Sequence, residues 1–324
     1  MPNSPDLSVV LPVYDAAETV GSLIETLLSL EGIGVEVIAV DDASSDGSTA
    51  ILERLVREHP AVIARFNDVN RGAGQARNTG FELVSGRYTL FFDADDVLHP
   101  AALRTTIREL DRSGADVGLT PYRYRRSATQ DYEAMNSFDQ EIWTEYAPVG
   151  LRREVVLREA PRLLAFSAYP WNKVLRTDHY RDVGLRFGST RVHNDVLGHW
   201  YAMLYARSIL LVDVEICTHI VEATGSNLTN QHSRVRLSLI DALDETYDLL
   251  ESDESLRRRY AHQYWGFATR TAGWALARID PPLQDEFKAR LEDHVRRMRV
   301  SDYARMRVGR SPAVADSVLR TIMR

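Results

Sequence analysis

The first hundred residues alternate between short β-rich runs and stripes of apolar residues at helical spacing. Leu7-Ser8-Val9-Val10-Leu11-Pro12 reads as a strand that Pro12 ends, because proline has no amide donor for the ladder. From Thr19 to Leu30, residues Val20, Leu23, Ile24, Leu27 and Leu28 mark one helical face. Val35 to Val40 is a second strand, closing at Asp41-Asp42. Asp46-Gly47-Ser48 then opens a helix through Arg57, with Asp46 or Ser48 as its cap. Ala61 to Phe66, Gly74 to Val84 and Tyr88 to Phe92 follow as strand, helix and strand. Such alternation predicts βαβ units and a mostly parallel α/β sheet, with right-handed crossovers that gather the strand ends on one rim. Tyr14, Asp41 and Asp93 each follow a strand and converge there. From about Val235 the pattern is helical: Val235, Leu239, Ala242, Leu243, Thr246, Leu249 and Leu250 form one stripe. Further helices span Tyr260 to Ala277 and run from Pro281-Pro282 through Arg299.

The chemistry concentrates where the fourth strand meets Asp93-Ala94-Asp95-Asp96. Carboxylates crowded at a sheet rim repel one another unless a positive group neutralises them. A hard divalent cation holding a diphosphate answers that need, since Mg²⁺ and Mn²⁺ prefer oxygen ligands and share their shell with phosphates. Taken alone, the acidic run is equally a turn that leads into the next helix, Asp41-Asp42 equally a turn, and Arg77 a solvated helix charge. Gly72-Ala73-Gly74-Gln75-Ala76-Arg77 is not a dinucleotide fingerprint, because Arg77 holds the third glycine position.

Composition narrows the class. Apolar content is 44%, charged content 26% and net charge −7, which suits a globular protein and argues against a nucleic-acid binder. The single Cys217 excludes an intrachain disulfide. No apolar run approaches the length of a membrane span, and the amino terminus lacks a basic-then-apolar signal, so a cytoplasmic protein is expected. Lys173 and Lys288 are the only lysines among 39 basic residues, a skew typical of GC-rich bacterial coding.

Four segments in order resemble the bacterial family 2 glycosyltransferases: Val9-Val10-Leu11-Pro12-Val13-Tyr14, Val40-Asp41-Asp42-Ala43-Ser44-Ser45-Asp46, Asn70-Arg71-Gly72-Ala73-Gly74-Gln75-Ala76-Arg77-Asn78-Thr79-Gly80, and Phe92-Asp93-Ala94-Asp95-Asp96. The resemblance implies a GT-A fold with a mostly parallel central sheet, followed by a helical C-terminal region. The implied catalytic domain is 1–232, with a nucleotide-binding half at 1–100 and an acceptor half at 101–232, and residues 233–324 form the helical region. It also implies inverting transfer of a sugar from a nucleotide-diphosphate donor, UDP being the commonest, to a glycan, lipid-linked or small-molecule acceptor. Donor contacts then fall on Pro12, Val13, Tyr14, Glu18, Asp41, Asn70, Gly72, Arg77, Asp93, Ala94 and Asp95. Asp95, with Asp93, takes a Mn²⁺ or Mg²⁺ ion.

Downstream, Trp171-Asn172-Lys173-Val174-Leu175-Arg176 and His193-Asn194-Asp195-Val196-Leu197 resemble later family segments, the latter placing the catalytic base on Asp195. Asn194 stands where the family usually has Glu. Asp195 is alternatively an N-cap for a helix from Val196 to Arg207. Acceptor contacts are expected from Trp171, Asn172, Lys173, Asn194 and His199, although Trp171 also reads as a core anchor and His193 and His199 as surface histidines. His219 lies where some relatives place a phosphate-contacting residue. Gly225-Ser226-Asn227-Leu228-Thr229 matches the segment that closes the catalytic domain. Two other readings compete: a nucleotidyltransferase, which lacks its usual phosphate loop here, and a nucleotide-sugar-binding pseudoenzyme, suggested by Asn194. The arginines at 296, 297, 299, 305, 307, 310, 320 and 324 suggest peripheral contact with an anionic membrane; solvated arginines or a homodimer contact are the blander readings.

Overall fold

The computed structural model describes residues 4–126, 131–221 and 232–322. Twelve strands are described: β1 (Leu7–Val13), β2 (Val35–Asp41), β3 (Val62–Phe66), β4 (Tyr88–Phe91), β5 (Val97–Leu98), β6 (Val117–Leu119), β7 (Arg123–Arg126), β8 (Tyr132–Ala134), β9 (Arg152–Val155), β10 (Lys173–Arg176), β11 (Ile209–Val212) and β12 (Cys217–Val221). Eight of them form one sheet in the order β3-β2-β1-β4-β10-β6-β11-β9. The β3-β2-β1-β4 half is parallel throughout. Its crossovers are α1 (Val20–Leu28), α2 (Ser48–Glu58) and α3 (Ala73–Phe81). β10 enters antiparallel between β4 and β6, so its first residue, Lys173, lies at the rim where β4 ends. A second sheet, β5-β12-β7-β8, stands beside that rim.

Pro12 does not end β1. It pairs in register with Val40 of β2. On the β4 side the last ladder bond runs from Phe92 N–H to Val10 O, so Pro12 lies beyond that ladder, where its missing donor costs nothing. The cap of α2 is neither expected residue but Gly47, at φ +103°. Asp46 still satisfies the first turn by accepting the Ser48 amide at 3.0 Å and its hydroxyl at 2.6 Å.

α4 (Pro100–Ser113), α5 (Ser137–Tyr146), α6 (Thr177–Asp182) and α7 (Asp195–Leu204) complete the α/β part. Five more helices follow: α8 (Ser238–Glu251), α9 (Glu254–Leu276), α10 (Gln284–Arg296), α11 (Val300–Arg305) and α12 (Pro312–Ile322). The helix expected to run through Arg299 therefore breaks after Arg296. One apolar core extends from Leu7 to Val318, so the expected boundary at 232 separates two kinds of secondary structure rather than two cores. Among the described residues, no helix is long and apolar enough to cross a membrane.

The basic C-terminal face is largely engaged within the molecule. Arg297 reaches Asp244, Asp248 and Glu251 on α8, at 2.5–3.1 Å. Arg296 pairs with Glu292 and Asp293, Arg299 with Glu251, Arg305 with Asp302, and Arg307 with Asp316. Each such pair contributes little stability when exposed, and together they oppose much of the positive charge that suggested membrane contact. Arg324 and the segment from Gly225 to Thr229 lie outside the described residues.

Gly80 of α3 sits flat on β1, where an added Cβ would lie 2.4 Å from Val10 Cγ1. Val10 is a β-branched residue of a central strand and has little room to yield. Gly80→Ala is expected to destabilise the protein by about 1–3 kcal/mol despite its better helix propensity, measured by urea denaturation.

Candidate active site

The rim begins where β1 and β2 end. Tyr14 is half exposed and Glu18 is exposed, beside Pro12 and Val13. The loop after β1 is held by the loop after β2: Asp15, at φ +48°, accepts the Ser45 amide at 2.7 Å, and Ala17 N–H reaches Asp46 at 2.8 Å. Asp41 is buried and committed locally, accepting the Ser44 amide at 3.0 Å and the Thr49 hydroxyl at 2.5 Å. Its neighbour Asp42 does the longer-range work. It accepts the Asn67 side-chain amide at 2.8 Å and the Arg71 and Gly72 backbone amides at 2.9 and 2.6 Å. Asp42 thereby shapes the loop that carries Asn70 and Gly72 into α3.

The three carboxylates after β4 have three different environments. Asp93 binds Arg77 at 2.6 Å. Asp96 is buried, accepting His219 Nδ1–H at 2.8 Å and the Ile220 amide at 2.9 Å. This pairing follows from the second sheet, where β5, directly after Asp96, runs antiparallel to β12, which carries His219. The Asp96 Oδ2 atom is buried with no partner among the described residues. Burial opposes a charge on His219, but the Asp96 carboxylate outweighs it and raises the imidazole pKa. Asp95 reaches solvent next to the buried Ala94, and its carboxylate accepts its own backbone amide. Burial within the rim and the charges of Asp96 and Asp93 push its pKa up to about 7.

α3 joins this rim to the loop before α7. Arg77 is buried, and its second arm donates to Asn194 Oδ1 at 2.8 Å. Its Nε is buried without a described partner. Asn78 clamps Phe187 twice, accepting its amide at 2.8 Å and donating to its carbonyl at 3.1 Å. Gly74 is obligatory here, since a Cβ would fall 2.2 Å from Gly188 O and 2.7 Å from Asn194 Cβ. From the other side, Glu245 of α8 accepts the Ser189 amide and hydroxyl. Asn194 also donates to Thr190 O at 3.1 Å, and it is the residue that precedes the first turn of α7. Asp195 is therefore the first helical residue, not the cap. Burial raises its pKa, while the charges of Arg77 and Lys173 pull it back and that of Asp93 adds to the rise.

Of the expected acceptor residues, Trp171, Asn172 and His199 are buried. Trp171 stacks on Tyr169 with centroids 4.5 Å apart, and His199 Nε2 faces Leu163 O at 3.0 Å. Their burial follows from packing on both sides of α7, and Trp171 Nε1, Asn172 Nδ2 and His199 Nδ1 are buried without a described partner. Lys173 is buried too, donating to Tyr169 O at 2.5 Å and Asn172 Oδ1 at 2.7 Å, and burial pushes its pKa down to about 7. His193 is not a surface histidine either: it sits at φ +63°, and burial and nearby Arg236 push its pKa down to about 4. Asp42 and Asp96 were passed over in the sequence because each is the second member of an acidic doublet whose partner lies far along the chain.

A family profile described as "Glycosyl transferase family 2" matches residues 8–169, half of the chain. The succinoglycan biosynthesis protein ExoO of Rhizobium meliloti is 37% identical over 115 residues, 36% of this chain and 32% of ExoO. The chain thus spans about a third of the length of that relative. Among solved structures, S. aureus TarS in complex with UDP has a TM-score of 0.71 at 18% identity, covering 98% of this chain and 88% of that one. The mannosyltransferase PcManGT from Pyrobaculum calidifontis, in complex with GDP-Man and Mn²⁺, has a TM-score of 0.53 at 14% identity, covering 99% and 88%. The architecture is the GT-A fold, and the chain belongs to glycosyltransferase family 2.

Proposed function

We propose that the protein is an inverting glycosyltransferase that moves a sugar from a nucleoside-diphosphate donor, UDP-linked by preference, to a hydroxyl of a glycan, lipid-linked or small-molecule acceptor. The observation that carries this reading is the Arg77 bridge, which ties the carboxylate run after β4 to the residue next to Asp195. The UDP complex of TarS supports the choice of base.

Transfer requires the acceptor oxygen to bond the anomeric carbon as the carbon–oxygen bond to the diphosphate breaks on the opposite face. The hydroxyl proton passes to Asp195, whose raised pKa makes it a stronger base than an ordinary aspartate. Arg77 supplies fixed positive charge close to the reacting groups, and Lys173 adds to it in its protonated form. A divalent cation fits the rim: Asp95 offers a hard oxygen with no side-chain donor on it among the described residues, Asp93 has an oxygen beyond the one that Arg77 holds, and Asp96 Oδ2 is a buried acceptor without a described donor. When bound, such an ion neutralises charge on the leaving diphosphate. Asp95 and Asp93 would hold it, with His219 facing the same rim. Asp42 shapes the loop through Asn70 and Gly72, and Tyr14 and Glu18 give the rim its exposed edge.

Asp195→Asn is expected to lower transfer by roughly 10²–10⁴-fold while a nucleotide sugar still raises the thermal midpoint of the variant. Loss of the thermal shift along with activity would overturn the assignment of Asp195 as base. In the wild type, kcat/KM should fall with acid along a limb centred above the ordinary aspartate range of about 3.9, because only the carboxylate accepts the proton and burial raises its pKa. A thermal-shift screen of UDP-, GDP- and dTDP-sugars with Mn²⁺ should single out a UDP-sugar. EDTA or Asp95→Asn should remove the Mn²⁺-dependent part of that shift. Asp42→Ala leaves the Arg71 and Gly72 amides without their acceptor and should weaken donor binding about tenfold in calorimetry.

A further inference from the structure

Two residues before Asp195, His193 meets Trp274 of α9 edge-on, with ring centroids 6.4 Å apart. Two guanidinium groups flank the same indole. Arg236, from the turn before α8, and Arg278, just past the end of α9, each lie 4.8 Å from its centroid. Three separate stretches of chain thus bring cationic and aromatic groups together beside the loop that carries Asp195. Arg236 is buried, Trp274 partly buried and Arg278 exposed.

Arg278 is placed differently from most arginines in the helical region, and shares with Arg270, which lies over Phe138 and donates to Ala165 O, a setting of aromatic ring and backbone carbonyl. Arg234, Arg290, Arg296, Arg297, Arg299, Arg305 and Arg307 all meet carboxylates, in a chain whose net charge is −7. Arg278 donates to the Trp274 carbonyl at 3.2 Å, and among the described residues no carboxylate lies within ion-pair distance of it. A guanidinium held over an indole, with one N–H on the Trp274 carbonyl, keeps its remaining N–H donors for an oxyanion. Fork geometry of this kind recognises carboxylates and phosphates by paired, charge-assisted bonds.

We infer that Trp274, Arg278 and His193, backed by Arg236, form an acceptor subsite for an anionic group of the glycan, a phosphodiester or a carboxylate carried near the hydroxyl that receives the sugar. This rests on the transferase reading above, since it is the place of Asp195 as base that makes this side of the loop the acceptor side. The subsite selects for charge where Asp195 performs chemistry.

The test uses the full chain and three probes of equal length: a poly(ribitol phosphate) oligomer, a polyuronate oligomer and a neutral oligosaccharide. Binding is followed by calorimetry at two salt concentrations. At least one anionic oligomer should bind, more weakly at the higher salt, and the neutral one should bind at least tenfold more weakly. Preference for the phosphate or the uronate oligomer identifies the source of the anion. Arg278→Gln should weaken anionic binding about tenfold or more. Arg296→Gln, an equal change of charge at an arginine already paired with Glu292, should leave it unchanged. Equal binding of neutral and anionic oligomers, or equal effects of the two substitutions, would overturn the inference. Thermal midpoints of both variants establish that they are folded. A wild type that binds the anionic oligomer yet shows no Mn²⁺-dependent response to any nucleotide sugar would sink the transferase reading and leave the anion site standing.

Discussion

One buried guanidinium holds the proposed chemistry together. Arg77 reaches Asp93 with one arm and Asn194 with the other, so residues 16 and 117 positions away meet through a single planar group. A buried charge is tolerated only when it is paired and hydrogen-bonded. That requirement fixes where α3 sits relative to the loop before α7, and two further features make the contact stiff. Gly74 lets the backbones touch where a methyl group would collide, and Asn78 locks Phe187 by both its amide and its carbonyl. The half of the chain that resembles a nucleotide-binding unit is thereby bolted to the proposed base.

Asn194, the departure from the family's usual Glu, gains a physical meaning in this setting. Its oxygen accepts from Arg77 as a carboxylate would, but its nitrogen donates to the carbonyls of Thr190 and Arg191, which a carboxylate cannot do. The amide also adds no negative charge beside Asp195, whose ionised form already contends with burial and with Asp93. Arg77 consequently shares its field between Asp93 and Asp195 without a third carboxylate at position 194. The substitution that suggested a pseudoenzyme is thus compatible with an ionisable base.

Local signals carried the parallel half of the sheet into view, because each strand and helix from Leu7 to Phe91 has its own period and its own breaks. Pro12 misled because its position was read without its neighbours: it pairs with β2 on one side and outruns β4 on the other. Trp171 is buried, as its reading as a core anchor expects, while the burial of His199 was not legible. The packing around both comes from α7, the 161–165 turn and the aromatic cluster around Tyr122 and Tyr169, which no short window reveals. The C-terminal arginines were more legible than they first looked. Asp241, Asp244, Asp248 and Glu251 fall at helical spacing on α8, an acidic stripe positioned to receive a basic helix, and Arg290 and Arg297 occupy it.

The run Asp93-Ala94-Asp95-Asp96 shows how tertiary structure turns repeated letters into distinct roles. In sequence the three acids are equivalent. In the fold, Asp93 belongs to Arg77, and Asp96 to His219 through a strand pairing more than a hundred residues away. Asp95 has no such side-chain partner, and its proton affinity is raised by burial and by the charges of Asp96 and Asp93. Three carboxylates held this close oppose one another, and only two have a basic side chain at hand. Such crowding works against the stability of the fold, the compromise expected where residues are placed for function rather than for folding.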